Sequence, residues 1–187
     1  MSYCLPIALS GIASDCNSNL GGIKKVFIKE HEDDDFVVAY YEKESGSPTS
    51  FIENVTKVNH ATAWKEYNLL KNASSLAQTA TIDAANGIRF VDTTLSLVFG
   101  RQESVKRLEV SALLLGQVSV IVVDSNGNFQ CLGCTEAVEC SESTGEIGAA
   151  KTDPNRYSIT LSDTSGLYAP FMTAAAIEEF LDERTSN

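Results

Sequence analysis

The sequence has few basic residues, few histidines and no long apolar run. Lysine and arginine total 14 against 25 aspartates and glutamates, which gives a formal net charge of −11. Clamping nucleic acid needs clustered cations at the phosphates, but the basic residues here are scattered as singles and pairs such as Lys24 and Lys25. The charge therefore argues against a nucleic-acid clamp. It fits either plain solubility or an acidic surface past which DNA slides.

Membrane and secretion signals are also missing. The longest apolar run, Val118 to Val123, has the length of a strand and falls far short of the roughly 18 residues of a membrane-spanning helix. The first 16 residues lack a basic segment and have only a short apolar stretch. An odd number of cysteines without a secretion signal predicts reduced thiols and assembly in a cytoplasm. The lack of a membrane-length run predicts no membrane partner. The five cysteines are Cys4, Cys16, Cys131, Cys134 and Cys140.

Catalytic and ligand-binding motifs are scarce. The two histidines, His31 in an acidic turn and His60 in a polar stretch, belong to no metal or triad motif. Asp33, Asp34 and Asp35 are consecutive and lack the alternating spacing of a calcium loop, so a solvated turn is predicted. Two glycines at 21 and 22 do not make a phosphate loop, because the rest of that motif is absent.

The one cysteine motif is Cys131-Leu-Gly-Cys134, with Cys140 nearby. A zinc site usually needs a second such pair, which the sequence lacks. A redox motif would open a helix after a strand, whereas this one lies in the returning strand of a predicted hairpin. Packing within a sheet is therefore predicted for these thiols. We predict no catalytic, cofactor-binding or metal-binding residues, and no enzyme activity.

Strand patterns cover most of the chain beyond residue 22. Alternating or β-branched runs predict strands at 25–29, 36–42, 63–69, 77–83, 118–123, 129–132 and 156–161. The first two are predicted to form a hairpin through the turn at 31–35. Residues 43–50 are predicted to form a loop, and residues 51–62 either a loop tip or a short strand. Asn126 and Gly127 predict a tight hairpin turn.

A longer strand is predicted at 87–99. Its apolar alternation changes phase around Asp92 and Thr93, which predicts a bulge or two strands that meet there.

Two segments have helical patterns. In residues 102–117, apolar side chains at spacings of 3, 4 and 3 predict one buried face, with Glu103 in the first turn and Gly116 at the end. That face consists of Val105, Leu108, Ala112 and Leu115. Residues 172–183 predict a short C-terminal helix whose apolar residues are Ala176, Ile177, Phe180 and Leu181.

The order of elements predicts the fold class. Strands and helices do not alternate as in a parallel α/β sheet, so we expect a mainly β protein, an antiparallel β-sandwich or barrel with one packed central helix and a short C-terminal helix. Residues 1–22, rich in glycine, serine and asparagine, are predicted to form an N-terminal arm that is weakly structured until something pins it. Residues 23–187 are predicted to form one β domain.

Residues 77–163 resemble the phage tail tube (major tail) protein family. The resemblance is carried by the order of elements and by short motifs: QTATID at 78–83, NG at 86–87, LSLV at 95–98, VIVVDSNGN at 120–128, LG at 132–133, AVE at 137–139 and DPNRYSITL at 153–161, which follows Gly145 and Gly148. The stretch at 16–23, CNSNLGGI, is similar to structural proteins of phages with Bacteroides-type hosts. The long N-terminal segment and the cysteines depart from typical members of the family.

The resemblance implies a tail-tube-like fold and a structural role in the virion. Family members form hexameric rings that stack into a hollow tube, with sheets joined between subunits, and DNA passes through the lumen during ejection. The implied partners are further copies of the chain, other tail proteins and transiently passing DNA. The alternatives are a head–tail connector, tail terminator or baseplate ring protein, and, in a different class, a soluble β-sandwich module that binds a glycan or a metal.

Overall fold

The computed structural model describes residue 12 and residues 19–42 and 48–185. These residues form mainly β structure in two sheets with two helices, which confirms the predicted fold class. The strands are β1 (Ile23–Glu30), β2 (Phe36–Glu42), β3 (Pro48–Val58), β4 (Lys65–Tyr67), β5 (Ser75–Asp83), β6 (Ile88–Gly100), β7 (Val118–Asp124), β8 (Phe129–Leu132), β9 (Glu139–Ile147), β10 (Asn155–Ser165) and β11 (Phe171–Met172), and the helices are α1 (Ser104–Leu115) and α2 (Ala174–Thr185).

The larger sheet has seven strands in the order β2-β3-β11-β8-β7-β1-β4. Its pairings are antiparallel apart from the short parallel match of β11 with β3, where Phe171 lies opposite Asn54. The β7–β8 hairpin turns where the sequence predicted: Gly127 has φ of 88°, a left-handed conformation that glycine adopts without strain.

The smaller sheet has four antiparallel strands in the order β5-β6-β10-β9. The two sheets face each other across a core built from Leu95, Leu97, Ile159 and Leu161 on one side and Val26, Val120 and Val122 on the other. This packing is that of a β-sandwich.

Helix α2 covers the opposite face of the larger sheet. Phe180 packs edge-on against Phe27 and Trp64, with ring centroids 5.3 and 6.3 Å apart. Ile121 and Cys131 point into the same cluster. Because β7 is covered on both faces, its side chains from Val118 to Val123 are all buried, which explains the unbroken apolar run in the sequence.

The predicted hairpin of the first two strands is wrong. Strand β1 pairs with β4 and β7, whereas β2 pairs with β3 at the far edge of the sheet. Their alternating patterns located each strand but carried no information on its partner. The pairing is decided by the core, which places β1 beside the fully buried β7.

Several predicted boundaries also change. The predicted loop at 43–50 overlaps β3, which begins at Pro48. Strand β3 continues to Val58, so the first part of 51–62, predicted as a loop tip or a short strand, is a strand. Residues 43–47 lie outside the described part. The predicted strand at 63–69 shrinks to three residues. Met172 belongs to β11, so the C-terminal helix starts two residues later than predicted. Glu103 is the N-cap residue of α1 and precedes its first turn.

Strand β6 is continuous, so the predicted bulge near Asp92 and Thr93 is wrong. Its register with β5 and β10 runs without a shift from end to end. The apolar residues change phase because Ile88 and Phe90 lie on the outer face of the sheet, whereas Leu95, Leu97 and Phe99 line the core.

The predicted arm, residues 1–22, lies mostly outside the described residues, as do Cys4 and Cys16. Its last residues are held against the β7–β8 turn. The Leu20 amide donates to Asn126 Oδ1 at 2.9 Å, and Ser125 Oγ donates to the Gly21 carbonyl at 3.1 Å. Among the described residues, neither helix is long and apolar enough to cross a membrane.

Candidate assembly surfaces

The smaller sheet ends in two strands that each have a single partner among the described residues. Strand β5 pairs with β6, and β9 pairs with β10. Natural sheets usually protect such edges with lysine, proline or bulges. Strand β5, with the sequence SLAQTATID, has neither lysine nor proline, and its register shows no bulge. Strand β9 has one irregularity, between its pairings with Thr160 and Leu161. The β5 edge is therefore open to another strand.

Serine and threonine are the commonest side chains on the outer face of this sheet. Because directly paired residues of an antiparallel sheet lie on the same face, the register defines the members of this face. They are Ser75, Ala77, Thr79, Thr81 and Asp83 of β5, Ile88, Phe90, Asp92, Thr94, Ser96, Val98 and Gly100 of β6, Arg156, Ser158, Thr160, Ser162 and Thr164 of β10, and Glu139, Glu142, Thr144 and Glu146 of β9. Apart from Val98, none of them is buried. We call this surface the hydroxyl face.

The charges on and beside the hydroxyl face are mainly negative. Its carboxylates are Asp83, Asp92, Glu139, Glu142 and Glu146, and its cation, Arg156, forms an ion pair with Glu146. Asp92 accepts a hydrogen bond from Thr164 Oγ1 at 2.9 Å. Such a surface offers hydroxyl groups and negative charge but no cluster of cations, so it would not hold the phosphates of a nucleic acid.

Helix α1 presents its apolar stripe to solvent, so the predicted buried face is wrong. Val105, Leu108 and Leu115 are 70%, 59% and 92% exposed, and Ala112 is also exposed. The helix packs on the sandwich through Val110 and Leu113 instead. At 100° per residue these two groups lie on nearly opposite sides. The helix therefore has two apolar faces, and the described part of the chain covers only one.

A small cavity of about 170 Å³ lies beside the cysteine motif. Its walls include Ile52 of β3, Cys131, Cys134, Asp163 and the segment from Ser165 to Pro170. The Cys131 side chain is fully buried in the α2 cluster, as predicted for a thiol packed within a sheet. Cys134 lies three residues on, in the loop after β8, and is partly buried.

Burial sets the protonation of these groups. It raises the pKa of the Cys131 thiol well above its usual value, and burial together with the nearby Asp163 carboxylate raises the pKa of Cys134 to about 12. Both thiols are therefore neutral and weakly nucleophilic at pH 7. Burial, then repulsion by Glu136, raises the pKa of Asp163 to about 6. These features do not resemble an activated nucleophile.

The charged turn between β1 and β2 contains a buried ion pair, so the predicted solvated turn is wrong for Asp35. Asp35 is 1% exposed, and its carboxylate accepts a hydrogen bond from Lys29 Nζ at 2.6 Å. It also accepts one from the Glu32 amide at 3.0 Å. Burial lowers the pKa of Lys29, but its hydrogen bonds to Asp35 and Glu32 outweigh burial and raise that pKa overall.

His60 approaches the exposed side of the same turn. Its Nε2 atom lies 3.5 Å from Glu32 Oε2 and 3.5 Å from Asp34 Oδ2. Among the described residues, only this group gathers three potential metal ligands within 4.8 Å of one another. All three side chains are exposed. This arrangement has no signal in the sequence, because two strands, β2 and β3, separate His60 from the turn along the chain. His31 instead hydrogen-bonds Ser119 Oγ at 2.8 Å.

No protein-family model matches the chain, and a search of the curated proteins finds no match.

Proposed function

We propose that this protein is a structural subunit of a phage tail tube, which joins copies of itself into rings that stack around a lumen for DNA. The hydroxyl face carries the proposal, because it is a largely polar and acidic surface bordered by two sheet edges. A ring that joined the sheets through those edges would turn this face inward. DNA would then pass over hydroxyl and carboxylate groups that do not bind phosphate.

The strand directions are compatible with such a ring. In a sheet of four antiparallel strands, the two edge strands run in opposite directions. Strand β5 of one copy would therefore lie antiparallel to β9 of the next, and the same antiparallel ladder would continue through the junction. Six copies would close a barrel of twenty-four strands. Closure removes the open edges, which explains why β5 needs no protective lysine or proline.

The role proposed is structural and not enzymatic. The cavity beside Cys134 is small, and the thiols on it are neutral. In this proposal the protein is assembled in the host cytoplasm and ends in the virion tail.

Negative-stain electron microscopy of the purified protein at high concentration, and of virions, tests the proposal. We expect rings or tubes with a central channel and an abundant band of this protein in purified tails. A protein that stays monomeric at high concentration and is absent from virions would disprove it.

The same particles separate the alternative roles. A head–tail connector, terminator or baseplate protein would occur in only a few copies per virion, whereas a tube subunit would be among the most abundant tail proteins. A metal-binding module would contain metal by elemental analysis and lose it when Cys131 and Cys134 are both changed to Ser. Assembly that survives this double substitution would favour the tube subunit.

A further inference from the structure

Strand β10 carries a carboxylate where its pattern predicts an apolar side chain. Alternate residues of a strand point to the same face, and Ile159 and Leu161 are fully buried in the core between the sheets. Asp163 is the next residue on that face and pairs with the buried Thr93 of β6. Its carboxylate therefore lies on the inner side of the sheet, where it lines the cavity beside Cys134. We call this space the Cys134 cavity.

No cation in the described part of the chain neutralises Asp163. Burial, then repulsion by the Glu136 carboxylate, raises its pKa to about 6, and only a hydrogen bond from the Thr164 amide favours the ionised form. At pH 7.5 Asp163 is therefore mostly ionised, although its surroundings disfavour the charge. A bound cation would remove this cost, because an opposite charge within a few ångströms stabilises a carboxylate.

The remaining wall of the Cys134 cavity is largely apolar and includes two aromatic rings. Phe51 of β3 and Tyr168 line it, together with Ile52 and Leu167. Among the described lining residues Asp163 is the only carboxylate, and none is lysine, arginine or histidine. Aromatic rings attract ammonium groups that lie within about 6 Å of the ring centre. An apolar pocket with one well-placed charged group is typical of a binding site for a small ligand.

The volume of the cavity limits the size of that ligand. At about 170 Å³ it is close to the roughly 150 Å³ of an apolar cavity that holds one benzene molecule. A wider polar groove of about 590 Å³ lies on the other side of Asp163, and its walls include Asp33, Glu136 and Glu139. None of the described residues of this groove is lysine or arginine. Its carboxylates attract cations toward the cavity and repel anions.

We propose that the Cys134 cavity binds a small organic cation, whose ammonium group pairs with Asp163 and whose single ring or short carbon chain is enclosed by the apolar wall. A neutral ligand of the same shape would leave the carboxylate without a counter-ion, and an anion would be repelled. The ammonium group belongs either to a free amine or to a lysine side chain of a partner protein. The cavity lies on the inner side of the sheet, away from the hydroxyl face, so this binding does not depend on ring assembly.

Saturation-transfer NMR with the full-length protein at pH 7.5 tests the proposal, because it detects a small ligand whether or not the protein assembles. The probes are benzylamine, its uncharged counterpart benzyl alcohol, and the anion phenylacetate. We expect benzylamine to bind with a Kd of about 1 mM or below, benzyl alcohol to bind at least tenfold more weakly, and phenylacetate not to bind. Nα-acetyl-lysine amide distinguishes the two sources of the ammonium group. Tighter binding than benzylamine assigns the site to a lysine side chain, and weaker binding assigns it to a free amine.

A matched pair of variants locates the binding. Asp163→Asn should weaken benzylamine binding at least tenfold, whereas Asp92→Asn makes the same change on the opposite face of the same sheet and should leave the Kd unchanged. Urea unfolding checks that both variants are folded. An equal Kd for the two variants overturns the proposal. Equal binding of benzylamine and benzyl alcohol to the parent protein also overturns it, and this comparison holds even if the Asp163→Asn variant does not fold. So does the absence of binding by either amine at about ten times the expected Kd.

Discussion

Substitution of Ala77 by a charged residue should control ring formation through the β5 edge. Ala77 is exposed, lies on the hydroxyl face and pairs with Thr94 inside its own sheet. In the proposed ring it faces β9 of the next copy, whose side chains on this face include Glu142 and Glu146. We therefore expect Ala77→Glu to weaken assembly and Ala77→Lys to preserve it, although both introduce a long polar side chain.

The expected magnitude follows from the geometry of paired strands. Side chains on facing strands lie about 5 Å apart. Two carboxylates at that distance repel by about 1 kcal/mol in water and about 3 kcal/mol at the effective dielectric of a protein surface. Each junction should then weaken by roughly 5- to 150-fold, and the effect should accumulate around the ring. Raising the salt to 1 M, where the screening length is about 3 Å, should restore assembly of the glutamate variant.

Light scattering and electron microscopy at low and high salt would measure this effect. Thr94→Glu is the matched control, because Thr94 is exposed on the same face but belongs to an inner strand. All three variants should unfold in urea within about 0.5 kcal/mol of the parent protein, since exposed side chains contribute little to stability. Equal assembly of the glutamate and lysine variants at low salt would refute edge pairing between β5 and β9.

Three further predictions concern the fold. Asp35→Asn should lower the free energy of unfolding in urea by about 2 kcal/mol, because the Lys29 ammonium loses its buried partner and keeps only the exposed Glu32 carboxylate, 2.8 Å away. An unchanged midpoint would contradict this. Asp163→Asn should raise the thermal midpoint at pH 7.5 but not at pH 4. The raised pKa of about 6 means that the folded state favours the protonated Asp163 carboxyl, so the free energy of unfolding falls as pH rises from about 4 to above 6. A change in midpoint of equal size at pH 4 and pH 7.5 would exclude the ionised carboxylate as the cause. Gly133→Ala should destabilise the protein by more than Gly127→Ala, by about 1 kcal/mol or more in urea. Both glycines have φ near +88°, but only at 133 would the added Cβ lie 3.2 Å from the Ser119 backbone. Equal losses of unfolding free energy in the two variants would show that this contact costs no stability.

Local periodicity in the sequence was sufficient to locate most strands and both helices. Alternation identified β1, β2, β5, β6 and β10, and the Asn126 turn fixed the β7–β8 hairpin. Strand β9 was missed because its sequence, ECSESTGEI, contains almost no apolar residue, so its pattern gave no strand signal. Strand β11 is too short for any periodic signal.

Tertiary structure decided which surfaces are covered and which strands meet. The stripe of α1 was evident in the sequence, but amphipathicity shows only that a face is apolar and not that a neighbour covers it. Here the sandwich covers Val110 and Leu113 and leaves Leu108 in solvent. The hydroxyl face is equally invisible in the sequence, because its members come from four strands whose order and register are set by contacts between residues distant along the chain. The sequence by itself determined most local elements, the charge and the absence of recognisable catalytic motifs. Only the pairing of four strands distant along the chain brought the polar face and its open edges together.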